Sequence, residues 1–159
     1  MNFLIVTGLS GAGKSMAVNA LEDIGFFCID NIPAGLLPRI LDFAQQGENQ
    51  LSRVAVVMDI RGLHSVQETN EALEALDEKK MPYDILFLDA SDAAIRRRYK
   101  ETRRVHPMTI SEGIPVSEAI TKERQILQPL RERAKYVIDT SLLSTAQNRE
   151  RVSSLFLQK

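Results

Sequence analysis

Gly8-Leu9-Ser10-Gly11-Ala12-Gly13-Lys14-Ser15 decides how this chain is read. It fits G-x-x-x-x-G-K-[ST] at every fixed position. It follows the apolar run Phe3-Leu4-Ile5-Val6 and leads into Met16-Ala17-Val18-Asn19-Ala20-Leu21-Glu22, which is good helix-forming material. Strand, glycine-rich turn and helix N-terminus together are the context of a phosphate-binding loop. Glycines let backbone N–H groups turn toward one anion, and the helix N-terminus adds unsatisfied donors and a positive dipole end. In that reading Lys14 reaches the β- and γ-phosphates and the Ser15 hydroxyl holds Mg²⁺. The plain alternative is a glycine-rich β–α turn with an exposed lysine. The flanking strand and helix favour nucleoside triphosphate binding.

The 159 residues suffice for one α/β domain with a full core. A net charge of −1 gives no global field toward nucleic acid or membrane. The single cysteine, Cys28, excludes an internal disulfide and fits a reducing cytoplasm; within Phe26-Phe27-Cys28-Ile29 it reads as a core thiol. No apolar run approaches the length of a membrane span, and the first strand begins too early for a signal peptide. The expectation is a cytoplasmic, soluble domain over residues 1–159.

Outward from the loop, apolar runs alternate with helix-period segments, the pattern of a parallel sheet covered on both faces. Strands are expected at about Phe3–Thr7, Phe26–Ile29, Val54–Met58, Ile85–Leu88 and Tyr136–Asp139. About six helices should connect or follow them: from Gly13 to Ile24; after Pro33 with Leu36, Leu37, Ile40, Leu41 and Phe43; Val66–Lys80; an arginine-rich helix with Arg96, Arg97, Arg98, Arg103 and Arg104; Val116–Ala134; and a last one opening with the capping box Ser144-Thr145-Ala146-Gln147. Gln45–Gln50 reads as a loop, as does the stretch with His106, Pro107, Gly113 and Pro115. The expected fold class is a three-layer α/β P-loop NTPase fold with a five-stranded parallel sheet, of the kinase-like kind that the family resemblance described below implies.

In an open parallel sheet ligands bind at the carboxyl ends of the strands. Four polar clusters fall there: the loop, Asp30-Asn31, Asp59-x-Arg61 and Asp89. Asp59 reads as the carboxylate that shares Mg²⁺ with Ser15 through water, against the alternative of a turn or helix cap. Asp89 competes for that role but precedes the arginine-rich helix. Asp30 either orients an acceptor hydroxyl or makes an Asx turn before Pro33. Five arginines between Arg96 and Arg104 suit a lid that clamps phosphates, with Arg97, Arg103 and Arg104 as candidate contacts. A solvated helix face and an RNA- or partner-binding patch are the alternatives. His64 and His106 lie in loops without a partner that the sequence identifies, and no metal-ligand cluster is read. No Asn-Lys-x-Asp motif selects guanine, and no water-positioning glutamine follows Asp59, so fast hydrolysis is not expected.

The whole chain resembles the N-terminal domain of the RapZ/YvcJ family of P-loop nucleotide-binding proteins. The resemblance is carried by Val6–Ser15, by Ala20-Leu21-Glu22-Asp23-Ile24-Gly25-Phe26-Phe27-Cys28-Ile29-Asp30-Asn31-Ile32-Pro33, and by Leu86-Phe87-Leu88-Asp89-Ala90-Ser91-Asp92. Glu101-Thr102-Arg103-Arg104-Val105-His106-Pro107 and Val137-Ile138-Asp139-Thr140-Ser141 add to it. It implies binding of ATP at Gly8–Ser15 and of GTP, with a second nucleotide motif on Asp59-Ile60-Arg61-Gly62, where the last position is more usually serine. It implies weak ATPase and GTPase activity. Some members are adaptors that deliver a small regulatory RNA to a ribonuclease. The family's second, C-terminal domain, where RNA is thought to bind, has no counterpart in these residues, so RNA and ribonuclease contacts are expected only through it; self-association is left open. The expected function is a regulatory nucleotide-binding domain. The competing readings are a small-molecule kinase and a nucleic-acid-binding protein in its own right.

Overall fold

The computed structural model describes residues 2–30, 32–45, 53–80 and 82–157. Asn31 and Gln46–Gln50 lie outside the described residues. Five strands form one sheet: β1 (Asn2–Gly8), β2 (Phe27–Ile29), β3 (Arg53–Val57), β4 (Asp84–Asp89) and β5 (Tyr136–Asp139). All neighbours run parallel, in the order β2-β3-β1-β4-β5. β1 is the central strand. Phe3, Leu4, Ile5 and Val6 are all buried, because a parallel strand covered on both faces is apolar at successive positions. Its register pairs Val6 with Val57 of β3 and with Leu86 of β4.

The helices are α1 (Lys14–Asp23), α2 (Leu37–Gln45), α3 (Val66–Glu78), α4 (Asp92–Thr102), α5 (Pro107–Glu112), α6 (Val116–Arg133) and α7 (Thr145–Phe156). A 3-10 turn, Ala34–Leu36, precedes α2. Right-handed crossovers put α1 and α7 on one face and α2 through α6 on the other. The packing of α1 against α7 and of α3 against α6 agrees with this arrangement. The chain leaves β1 first toward β3 and β2, and later crosses to β4 and β5. The two directions diverge at the carboxyl end of β1, where open α/β sheets bind ligands.

Two expectations about the arginine-rich region are corrected. α4 stops at Thr102, whose hydroxyl donates back to the Arg98 carbonyl at 2.8 Å. Arg103 is left-handed at φ 57, so it and Arg104 lie in a turn beyond the helix. The stretch after it holds a helix the sequence reading missed, bringing the number to seven among the described residues. His106 caps α5 by accepting the Met108 amide on Nδ1, Pro107 supplies the first helical position, and Gly113 at φ 70 ends it. Serine caps open three other helices, the last as the sequence led us to expect. Ser65 and Ser91 accept from the amides of Glu68 and Ala94, and Ser144 and Gln147 form a full capping box.

Candidate functional site

The loop from Gly8 to Ser15 joins the central strand to α1. Gly8 has φ +146, and a Cβ there would lie 2.2 Å from the Leu88 carbonyl oxygen. Only glycine lets β1 and β4 approach so closely at the start of the loop. Gly13, at φ 103, caps α1 without a side-chain hydrogen bond. The Leu9 amide donates to Leu88, the Ser10 amide to Glu123 and the Ala12 amide back to Leu9. The amides of Gly11, Gly13, Lys14 and Ser15 donate to no acceptor among the described residues. Unsatisfied donors at a helix N-terminus are the chemistry of an anion site.

Lys14 is folded back in this arrangement. Its Nζ donates to the carbonyls of Gly8 at 2.9 Å and Leu9 at 3.0 Å. The residue as a whole is half-buried, but the ammonium is turned inward. Burial pushes its pKa below the ordinary lysine value, and the charges of Glu123 and Asp59 only partly offset this. Ser15 stands exposed beside it.

Asp59 follows β3 and is buried, with Arg61 as its partner. The Arg61 Nε lies 3.1 Å from each carboxylate oxygen, Nη2 lies 2.6 Å from Oδ2, and the Arg61 amide donates to Oδ1 at 2.9 Å. Burial alone would raise the Asp59 carboxyl. The Arg61 hydrogen bonds, with the Lys14 charge, outweigh it and hold the carboxyl below its usual range. Ser15 and Asp59 supply a hydroxyl and a carboxylate, hard oxygen donors that suit Mg²⁺. Ile60 is buried, and Gly62 sits where a Cβ would lie 2.7 Å from the Ile32 carbonyl oxygen. That close approach fits the absence of serine at this position.

Asp30, at the end of the edge strand β2, is close enough for its charge to act on Lys14 and Arg61. Asp89 is committed elsewhere: it accepts from Arg124 at 3.0 Å and Arg131 at 3.1 Å, both on α6. The arginines divide. Arg98, one of the five lid arginines but not one of the named contacts, donates to the Gly11 carbonyl at 3.0 Å and to Thr140. Arg96 reaches Ser117, while Arg97, Arg103 and Arg104 are exposed. Cys28 is partly buried, and burial, with Glu22 and Asp30, pushes its thiol up to about 11, far from a nucleophile's range.

Four supports of the loop were not read from the sequence. Glu123 of α6 accepts from Ser10, and the Thr140 hydroxyl donates to the Ala12 carbonyl at 2.7 Å. Asn148 of α7 donates to Gly13, and the Tyr99 ring lies against Gly11, where an added Cβ would meet it at 3.6 Å. The histidines also gain partners: His64 faces Glu68 at 3.3 Å and His106 faces Glu123 at 2.9 Å. One sequence signal pointed to Glu123. It is a lone carboxylate in the apolar stripe Ala119, Ile120, Ile126, Leu127 and Leu130.

Residues 1–159 match the family described as the RapZ-like N-terminal domain. The chain belongs to this family. A nucleotide-binding protein of Moorella thermoacetica is 50% identical over 157 residues, covering 96% of this chain and 52% of that protein. One of Alkaliphilus oremlandii is 43% identical over 158 residues, covering 99% and 54%. The RapZ-like chain thus spans about half the length of these curated relatives. Among solved structures, a shikimate kinase from Bacteroides thetaiotaomicron matches with TM-score 0.52 at 16% identity, covering 97% of this chain and 96% of that one. A gluconokinase from Sinorhizobium meliloti matches with TM-score 0.53 at 18% identity, covering 96% and 90%. At those identities the likeness is one of fold: the RapZ-like domain has the P-loop kinase architecture. No helix among its described residues is long and apolar enough to cross a membrane.

Proposed function

We propose that this chain is a nucleoside-triphosphate-binding regulatory domain with slow, Mg²⁺-dependent hydrolysis of ATP and GTP. The observation that carries this reading is the set of unbonded amides of Gly11, Gly13, Lys14 and Ser15 at the start of α1. Triphosphate oxygens would take those donors, and Lys14 would leave the carbonyls of Gly8 and Leu9 for the β- and γ-phosphates. Ser15 and Asp59 would hold Mg²⁺, which when bound neutralises charge between those phosphates. Asp59 must then share its oxygens with, or surrender them from, Arg61. Among the described residues at the loop, the Asp59 and Glu123 carboxylates are already engaged by Arg61 and by Ser10 and His106, which supports slow turnover. Adaptor contacts with RNA and a ribonuclease we assign to the part of the longer relatives that this chain does not span. The near-neutral charge of these residues supports that division.

A second reading is favoured by one observation. A cleft of about 380 Å³ is lined by Pro33, Ala34, Gly35, Arg61, Gly62, His64 and Glu68. It opens beside the Asp59–Arg61 pair and could seat a small acceptor for the γ-phosphate, with Asp30 at the neighbouring strand end. Calorimetric titration of ATP and GTP with Mg²⁺, followed by turnover assays of the wild type and Lys14→Ala, tests the first reading. Binding and slow turnover that both vanish in Lys14→Ala support it; wild-type protein that binds neither nucleotide refutes it. Turnover that rises when a hydroxyl acceptor is added would move the function to the second reading.

A further inference from the structure

α6 turns Ala119, Ile120, Ile126, Leu127 and Leu130 into the core. In the middle of that stripe stands Glu123, 0% exposed. A carboxylate survives such burial only when its oxygens are met by donors. Every bonded partner of Glu123 is a donor: the Ser10 amide at 3.1 Å to Oε1 and 3.0 Å to Oε2, the Ser10 hydroxyl at 2.7 Å, and His106 Nε2 at 2.9 Å.

His106 is equally buried. Its Nδ1 accepts the Met108 amide at 3.0 Å, so that nitrogen carries no proton. The ring proton therefore sits on Nε2 and points at Glu123. Tyr99 of α4 packs edge-on against His106, with ring centroids 5.8 Å apart. One residue of the phosphate loop is thus held by a buried carboxylate, which His106 engages in turn with Tyr99 packed against the imidazole.

A purely apolar side chain would fill the position of Glu123 without any need for donors. The carboxylate does something packing cannot: it fixes the direction of the Ser10 amide. That amide faces α6, whereas those of Gly11, Gly13, Lys14 and Ser15 remain unbonded. We propose that Glu123, oriented by the proton on His106 Nε2, is the positioning residue of the phosphate loop, setting its shape before any nucleotide arrives. This rests on the triphosphate reading above. Preorganisation of this kind lowers the ordering cost that a ligand must otherwise meet. His106 also lies three residues after Arg103, so the same hold ties the arginine turn to the loop.

The test uses the full chain, labelled with ¹⁵N, as wild type, Glu123→Gln and His106→Asn. Asparagine keeps an acceptor for the α5 cap but is too short to reach Glu123. In nucleotide-free wild type, His106 should show a pyrrole-type Nε2 and a pyridine-type Nδ1, and the Ser10 amide proton should resonate far downfield and exchange slowly. Both variants should shift the Ser10 amide upfield and speed its exchange. ATP affinity should fall at least about tenfold in Glu123→Gln and about threefold in His106→Asn. A folded Glu123→Gln with an unmoved Ser10 amide, or with ATP affinity within twofold of wild type, overturns the assignment alone. If Glu123→Gln does not fold, His106→Asn decides by the same two readings. Wild type that shows the expected His106 and Ser10 signals but binds no ATP overturns the triphosphate reading, and the assignment with it.

Discussion

Arg61 grips Asp59 at both carboxylate oxygens, through Nε at 3.1 Å and Nη2 at 2.6 Å, while its own backbone amide closes a turn onto Oδ1 at 2.9 Å. The carboxylate is buried and the guanidinium side chain is 53% exposed. The oxygens that a metal or its water shell would use are therefore already in contact with a cation at the protein surface. On the proposed function, arginine and Mg²⁺ would compete for one group.

Removing the competitor should favour the metal. Arg61→Ala is expected to lower the Mg²⁺ concentration that supports half-maximal ATP binding by about fivefold, or ~1 kcal/mol for a partly exposed pair. A Mg²⁺ titration at fixed ATP measures it. A rise in the required Mg²⁺ would instead mean that Arg61 assists the phosphates.

The same pair has a pH signature. The Asp59 carboxyl is held below its ordinary value in the folded state, so its pairing stabilises the fold above the unfolded pKa of about 3.9 and is lost as pH falls through the lower folded value. Asp59→Asn should therefore be less stable than wild type by about 1 kcal/mol from neutral pH down to the unfolded carboxyl range. The gap should close in stronger acid. Urea melts between pH 7 and pH 2 follow it, and a gap that persists unchanged through the acid end would show that the charge contributes nothing.

Lys14 carries the opposite sign. Burial lowers its pKa, so the charged ammonium is a penalty on the empty fold, complete below the folded pKa and fading as pH rises toward the unfolded value of about 10.4. Lys14→Met keeps the aliphatic stem and drops the charge. It should cost at least about 2 kcal/mol of triphosphate affinity, the scale of a charge-assisted hydrogen bond. Without nucleotide it should be no less stable than wild type at neutral pH, and wild type should gain on it as pH approaches 10. Denaturant melts at both pH values, beside an ATP titration, separate binding from folding.

The sequence was most informative where a local rule dictates backbone shape. Gly8, Gly13 and Lys14 follow a strand and open a helix, and that order admits few other folds. Ser144 announced its helix because a capping box is settled within three residues. The helix of Pro107–Glu112 was missed because its six residues are too few to show a period, and its cap is a histidine rather than serine or aspartate. The supports of the loop were hidden for a different reason. Glu123 lies 113 residues from Ser10, and Thr140 lies 128 from Ala12, so only the sheet order brings them together. Arg98 looked like its neighbours Arg96 and Arg97, yet helical phase turns it alone toward Gly11.

The start of the loop offers the sharpest mechanical test. At Gly8 an added Cβ would lie 2.2 Å from the Leu88 carbonyl oxygen and 2.8 Å from its nitrogen, at a backbone φ of +146 that side chains rarely adopt. Neither atom belongs to a side chain that could rotate away; both are backbone of β4. Gly8→Ala should therefore destabilise the domain by about 3 kcal/mol. Gly35→Ala is the control, since its Cβ would meet nothing within 4 Å. It should be neutral or stabilising by about 0.5 kcal/mol, through the lost freedom of the unfolded chain. Urea melts of both variants give the comparison. Wild-type stability in Gly8→Ala would mean that β1 and β4 can part at the loop's root, and the placing of the phosphate site by the spacing of these two strands would have to be abandoned.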